Sequence, residues 1–525
     1  MTSLEALIPT GGGQNKIEFT ASGAIAAGKP VILNSNGTVS QITGSTSAED
    51  FTYGTGASVF VENTGGMDPS LSTDPFNEGK FIVGYEHKIS GSANDGKPMV
   101  VVGTTSGSTI TYGTPVVINS GSSGGNDIIV QFDPTYENRV IVSYYGGTNM
   151  GYTGVSALTL DGTAVTVHTP VQYYSSNGGK MAPGEMAFDY TKVGYFIMQY
   201  HDSANNGYYR GGSIASNGTI TLGSQGSTYA RWDKPGTQTC SNKSGKFLLV
   251  GGRENAAPYI CAAVATIDSS RNVTVGTFHT GYSGHNGDGK AQADWDPNDD
   301  TKFVHGAVYS GSPYPSKVFV GTVAGTSITY GDPTTIFDEN WGTGGAQIRF
   351  PPNPTTPREF LVAYGETGIS PNIQLRIAKC SYSGTTITKH STTNISNEYH
   401  RHTGSAEFDK SNGIIYIAWG YDNGSSAANP NYGRLWMSKV ETKPTNLTTT
   451  NLMGIADAAI ADGESGIINT WGSVNDTQSG MTIGSDYYAQ HDGTITATNS
   501  SNSTLQQLLG NALSATKLNI KDYTG

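Results

Sequence analysis

One pattern recurs seven times along this chain and restricts its fold more than any other feature. A short strand-like run ends in an aromatic residue, often followed by Asp and Pro. A turn comes next, then an apolar run ending near Tyr. The copies are PSLSTDPFNEGKFIVGY (69–85), DIIVQFDPTYENRVIVSYY (127–145), GEMAFDYTKVGYFIMQY (184–200), QTCSNKSGKFLLVGG (238–252), AQADWDPNDDTKFVHGAVY (291–309), AQIRFPPNPTTPREFLVAY (346–364) and GSAEFDKSNGIIYIAWGY (404–421). Each of the first six is followed by a polar loop and a second hairpin, such as ALTLDGTAVTVHT or GSIASNGTITLG. Apolar and polar residues alternate with period two, and the tight turns carry Gly, Asn, Asp or Ser. Four strands per repeat of roughly 45–60 residues, about seven times over, predict an all-β chain dominated by a propeller of about seven blades.

The seventh copy reaches a third strand, RLWMSKVET (434–442), and breaks off at KPTNLTTT. The missing fourth strand has a candidate at the other end of the chain: DFTYGTGASVFVEN (50–63) matches the fourth-strand pattern of SGSTITYGTPVVIN (106–119) and AGTSITYGDPTTIF (324–337). An open ring would leave a bare sheet edge, a pairing hazard. Pairing 50–63 with the third strand of the last repeat completes that blade and closes the ring. The propeller then spans 48–443, entering and leaving on adjacent strands. The flanks, 1–47 and 444–525, emerge side by side and read as the two parts of one small β-barrel or sandwich-like domain, into which the propeller is inserted.

The flanks also carry a resemblance. AAGKPVILNSNGTVSQI in front, with NLMGIADAAIADGESGIINTWGSV, GSDYYAQHDGTITAT and LGNALSATKLNIKD behind, resembles a module that recurs in tail and fibre proteins of tailed bacteriophages, notably marine ones. The resemblance implies a virion structural protein, assembled in the host cytoplasm, whose small domain attaches or oligomerises. Its partners would be itself and other tail proteins. It carries over no catalytic residue and no cofactor.

Composition narrows the chemistry. Of 525 residues, 70 are Gly and 29 Tyr, and only 14% are charged. Such usage suits many strands joined by tight turns. The net charge of −12 comes without a Lys/Arg cluster, which argues against nucleic acid or an anionic membrane as partner. No signal-like leader is legible in MTSLEALIPTGGG, and no apolar run is long enough for a membrane span. Cys240, Cys261 and Cys380 are odd in number and widely spaced, so they read as small buried thiols made in a reducing cytosol.

In a propeller, the loops from second to third strand and from blade to blade share one face. Here they are long and rich in Tyr, Trp, Ser, Asn and Gly, as in adaptable binding loops. Aromatic rings stack on sugar faces while Asn and Asp bond hydroxyls, so a host glycan or receptor is the expected ligand. The candidate face comprises Tyr85, Glu86, Tyr145, Tyr200, Asp202, Glu254, Tyr309, Trp341, Tyr364, Glu366, Tyr421 and Asp422. Repeat symmetry would set the carboxylates among them in a ring, able to hold a cation or to act as ordinary solvated acids. DWDPNDD (294–300) reads as a turn, since it lacks the central Gly and final Glu of a calcium loop. His400 and His402 lack an evident third metal ligand. No nucleophile elbow, phosphate loop or metalloprotease helix is present, nor are the repeated Ser-x-Asp boxes of a sialidase. The expectation is a non-enzyme, with a glycan-cleaving spike enzyme and a cell-surface adhesin as alternatives.

Overall fold

The computed structural model describes residues 15–43, 51–53, 58–61, 69–87, 94, 96–106, 109–120, 128–145, 153–174, 186–201, 206–227, 238–253, 259–283, 292–308, 316–337, 347–351, 358–365, 375–396, 402–410, 414–420, 435–442, 446–447, 451–490, 493–497 and 507–521. Every named element among them is a β-strand. The chain divides into two compact units, residues 51–442 and residues 1–50 with 443–525.

The larger unit is a β-propeller. Its described residues form seven consecutive antiparallel sheets of the same design. The first runs Ser70–Thr73, Lys80–His87, Lys97–Ser106 and Thr109–Tyr112, and the second starts with Ile128–Phe132 and Arg139–Tyr145. The first strands of successive sheets lie against one another in order, and that of the seventh lies against that of the first. The seventh sheet takes its outer strand from the front of the chain: Val440 pairs with Tyr53, Glu441 with Thr52 and Thr442 with Phe51. A second segment, Ser58–Val61, continues the pairing along Leu435–Met437. The orphan strand therefore closes the ring. The seam is also bonded across the inner strands, where Thr73 Oγ1 donates to Phe408 O at 2.7 Å and Gly79 N to Asp409 Oδ1 at 3.0 Å.

The Asp that follows the first strand in five of the seven repeats has a structural reason to recur. Asp74, Asp133, Asp189, Asp296 and Asp409 are all buried, and Asn242 stands in for them in the fourth sheet. In five sheets the side-chain oxygen caps the tight turn, accepting from the backbone N–H two residues on: Phe76, Thr135, Thr191, Ser244 and Asn298. This is the local bond that makes Asp and Asn turn residues. Burying the charge requires compensation. Arg139 supplies it for Asp133, with Nη2 2.6 Å from Oδ2, and Lys192 for Asp189 at 2.9 Å.

Among its described residues the smaller unit has two sheets, the first built from both ends of the chain. It has the order Lys16–Thr20, Ser465–Asn469, Leu452–Ala456, Pro30–Leu33, Val39–Gln41. The second comes from the C-terminal part alone, with Gln507–Ala512 between Asp486–Ala489 and Leu518–Ile520. Alternation in Pro30–Leu33 sends Val31 into one apolar cluster with Ile25, Val39 and Ile468, and Ile32 into another with Leu452, Leu509 and Leu518. The middle of the first sheet thus carries an apolar cluster on each face.

Candidate functional site

The direction of the strands places every connection. Within each sheet the first and third strands run towards one end of the ring, the second and fourth towards the other. The turns from first to second strand and the third-to-fourth hairpins therefore share one end, here the turn end. The second-to-third and sheet-to-sheet connections leave from the opposite, loop end.

Most residues expected on the loop end lie outside the described set: Asp202, Glu254, Tyr309, Trp341, Glu366, Tyr421 and Asp422. Tyr145 and Tyr364 are the last and next-to-last residues of their second strands, with backbone pairs to Thr153 and Arg376, and their side chains are likewise outside it. The three that are described correct the expectation. Tyr85, Glu86 and Tyr200 do not present a surface; they are 1%, 3% and 2% exposed. Strand Lys80–His87 runs two residues past Tyr85, so alternation turns the ring into the core beside Leu71, Val83 and Met99. Tyr200 donates its hydroxyl hydrogen bond to Gln225 Oε1 at 2.9 Å and stacks on Tyr208. Burial pushes both phenols far above their ordinary range. Among the described residues no three His, Cys, Asp or Glu converge as a metal site. His400 is outside the described residues, as is the side chain of His402. Cys240 and Cys380 are buried and Cys261 half-buried, and none of the three is in a disulfide.

The structure presents a different constellation, inside the ring at its turn end. A cavity of about 420 Å³ is lined by the first strands of all seven sheets. Two residues before that turn position, which is Pro351 in the sixth sheet, the successive sheets place Ser72, Gln131, Ala187, Cys240, Asp294, Arg349 and Glu407 on this lining. The fifth, sixth and seventh thus bring one charge each to the same level of the channel. Arg349, only 7% exposed, donates from Nε to Glu407 Oε1 at 2.9 Å and from Nη1 to its neighbour's carbonyl, Ile348 O, at 2.8 Å. Nη2 reaches Gln347 Oε1 at 3.1 Å. Asp294 accepts from Phe350 N of the next sheet at 2.9 Å and from Trp295 N at 3.0 Å.

The electrostatics follow from this enclosure. Burial in the channel pushes the Asp294 carboxyl up to about 7, against the pull of Arg349. Burial also raises Glu407, again partly offset by Arg349. At neutral pH the site therefore holds a proton on Asp294 for part of the time, beside the Arg349 guanidinium, with Lys243 and Lys410 also on the lining. Tyr190, from the turn of the third sheet, adds an aromatic ring that is 48% exposed and lines the same cavity.

Sequence reading assigned Asp294 to a turn and passed over Arg349 and Glu407, because each charge comes from a different repeat and none forms a local motif. Aligning the seven repeats on the residue after the first strand, Asp in five and Asn242 and Pro351 in the others, would have revealed the charged column.

Comparison with known proteins supports the architecture. No family model and no curated protein matches this sequence. Among solved structures, the lectin BP39L from Burkholderia pseudomallei superposes with a TM-score of 0.50 at 11% identity, over 74% of this chain and 98% of that one. A protein of unknown function from Dyadobacter fermentans gives 0.42 at 11% identity, over 75% of this chain and 100% of that one. The polysaccharide lyase Uly1 gives 0.43 at 8% identity, over 81% and 99%. At 11% identity the likeness to the lectin is one of fold alone.

Proposed function

We propose that this chain is a structural protein of a bacteriophage virion, a tail, fibre or nozzle component. In this reading the loop end of its propeller binds a glycan or receptor on the host surface, and its small unit joins it to itself and to other tail proteins. The observation that carries the reading is the sorting of connections: every long Tyr-, Asn-, Ser- and Gly-rich segment leaves from one end of a closed, rigid ring. A ring closed by strand pairing at its seam holds variable loops without being reshaped by them. The resemblance of the flanks to phage tail modules supplies the virion setting. That the Burkholderia pseudomallei protein of this fold is a lectin accords with a glycan as ligand class.

A second reading, glycan cleavage, is favoured by one observation: Asp294, held near half-protonation at pH 7, has the property required of a general acid. One experiment separates the two. The full chain is passed over immobilised surface polysaccharide of the host bacterium while reducing ends are assayed in parallel. Saturable binding without new reducing ends, weakened in Trp341→Ala and Tyr309→Ala, is the expected result. Released reducing ends lost in Asp294→Asn would establish cleavage instead. Absence of binding would confine the propeller to tail assembly.

A further inference from the structure

The turn-end mouth of the channel carries more polar chemistry than ring closure requires. Neighbouring first strands are tied together by side chains that cap each other's open backbone edges. In most sheets uncharged groups suffice: Ser70 and Ser72 accept from Val130 N and Phe132 N, both at 3.0 Å, and Ser241 Oγ donates to Phe188 O at 2.6 Å. Between the fifth and sixth sheets the same task falls to Asp294. A hydroxyl accepts from an N–H at far lower desolvation cost than a carboxylate. The charge at position 294 is therefore in excess of the structural need, and so is the Arg349–Glu407 pair beside it.

We propose that this mouth is a binding site for a neutral, polyhydroxylated ligand, a short saccharide, with Asp294, Arg349 and Glu407 as hydrogen-bonding groups and Tyr190 as the stacking surface. The ligand class follows from what the lining opposes. An anion meets three carboxylates, Asp294, Asp296 and Glu407, against three cations, so no net positive charge holds it. A bare cation meets Arg349, with Lys243 and Lys410 also on the lining, and no three metal-ligating side chains converge among the described residues. An apolar ligand would strip water from three charges. A polyol satisfies acceptors and donors together, and it alone makes use of a half-exposed aromatic ring over a polar floor. The cavity, at about 420 Å³, has the size of a small-molecule site. This site lies at the end opposite the long loops and stands independently of the reading given above.

The test uses the full chain, titrated by calorimetry with glucose, galactose, mannose and the trisaccharide maltotriose, and separately with calcium chloride and inorganic phosphate. Saturable binding of at least one sugar is expected, weakened about tenfold or more in Glu407→Gln, as befits loss of a hydrogen bond to a charged group. Tyr190→Ala is expected to weaken it as well; because that ring is half-exposed, the variant keeps its thermal transition and separates lost binding from lost folding. Absence of binding by every sugar would overturn the proposal. So would a sugar bound equally by wild type, Glu407→Gln and Tyr190→Ala, or calcium or phosphate bound in a manner abolished by Glu407→Gln.

Discussion

Gly321 lies directly across the strand pair from Phe303, and a Cβ at Gly321 would come within 2.1 Å of the aromatic ring. The relation repeats. Gly103 faces Phe81 and Gly212 faces Phe196 in the same register of their own sheets. Each ring is fully buried and covers the backbone of its opposite glycine. A side chain there has no room unless the ring leaves its rotamer. Gly321→Ala is therefore expected to destabilise the propeller by about 1–3 kcal/mol through overpacking, and Phe303→Ala by about 3–5 kcal/mol through the cavity it leaves. Denaturant unfolding of both variants measures this; a Gly321→Ala protein as stable as wild type would contradict the packing described.

Ring closure rests on the backbone ladder between residues 51–53 and 440–442. Of two successive strand residues only one directs its N–H at the partner. Thr52→Pro and Tyr53→Pro together sample both cases, and at least one is expected to cost about 1–3 kcal/mol from the lost bond. Two variants with unchanged unfolding curves would mean that the N-terminal strand does not hold the last blade.

The two units are expected to respond to pH in opposite directions. Burial raises Asp294 in the folded propeller to about 7, whereas in the unfolded chain an aspartate titrates at about 3.9. The folded state binds the extra proton between these values, so Asp294's contribution is complete at low pH and is lost as pH rises towards 7. Asp457 in the small unit is held low by the Asn469 side chain and by Lys16. Its contribution is present above the unfolded value and lost on acidification. Thermal melts across pH 2–8 check this by difference: Asp294→Asn flattens the propeller's decline with rising pH towards 7, and Asp457→Asn removes a loss that falls mainly below pH 4. A propeller whose pH profile is identical in wild type and Asp294→Asn contradicts the channel electrostatics.

Assembly through the small unit, as proposed, has a surface to test. Ile483 is 72% exposed and Leu513 49% exposed, and their turns are joined by the bond from Gly484 N to Ala512 O at 2.8 Å. Light scattering on the full chain at micromolar concentration is expected to give a homo-oligomer, and the double variant Ile483→Asp, Leu513→Asp a smaller species. A monomeric wild type, or an oligomer indifferent to both substitutions, would place the interface elsewhere.

The fold was legible in the sequence to a greater depth than the site. Strand period, turn chemistry and the unpaired run at 50–63 are local signals, and they sufficed for the ring, its closing strand and the small domain built from both ends. The candidate site depended on side-chain direction at strand ends, which the sequence leaves open. Tyr85 and Tyr200 looked like the first residues of binding loops. The strands continue past them to His87 and His201, and alternation buries both rings. The charges of the channel were hidden for the opposite reason. Asp294, Arg349 and Glu407 meet only because three repeats, more than 50 residues apart in sequence, are bent into one ring.

The measurement that tests the proposed virion role most directly is whether, and where, this chain sits in phage particles. Gold-labelled antibody against the full chain, viewed on purified phage by electron microscopy, is expected to decorate the tail in a symmetric set. Antibody raised to the loop segment 421–434 is expected to block adsorption to the host. Particles that contain none of this chain would contradict the virion role, and labelled particles whose adsorption is untouched would contradict the outward-facing loop end.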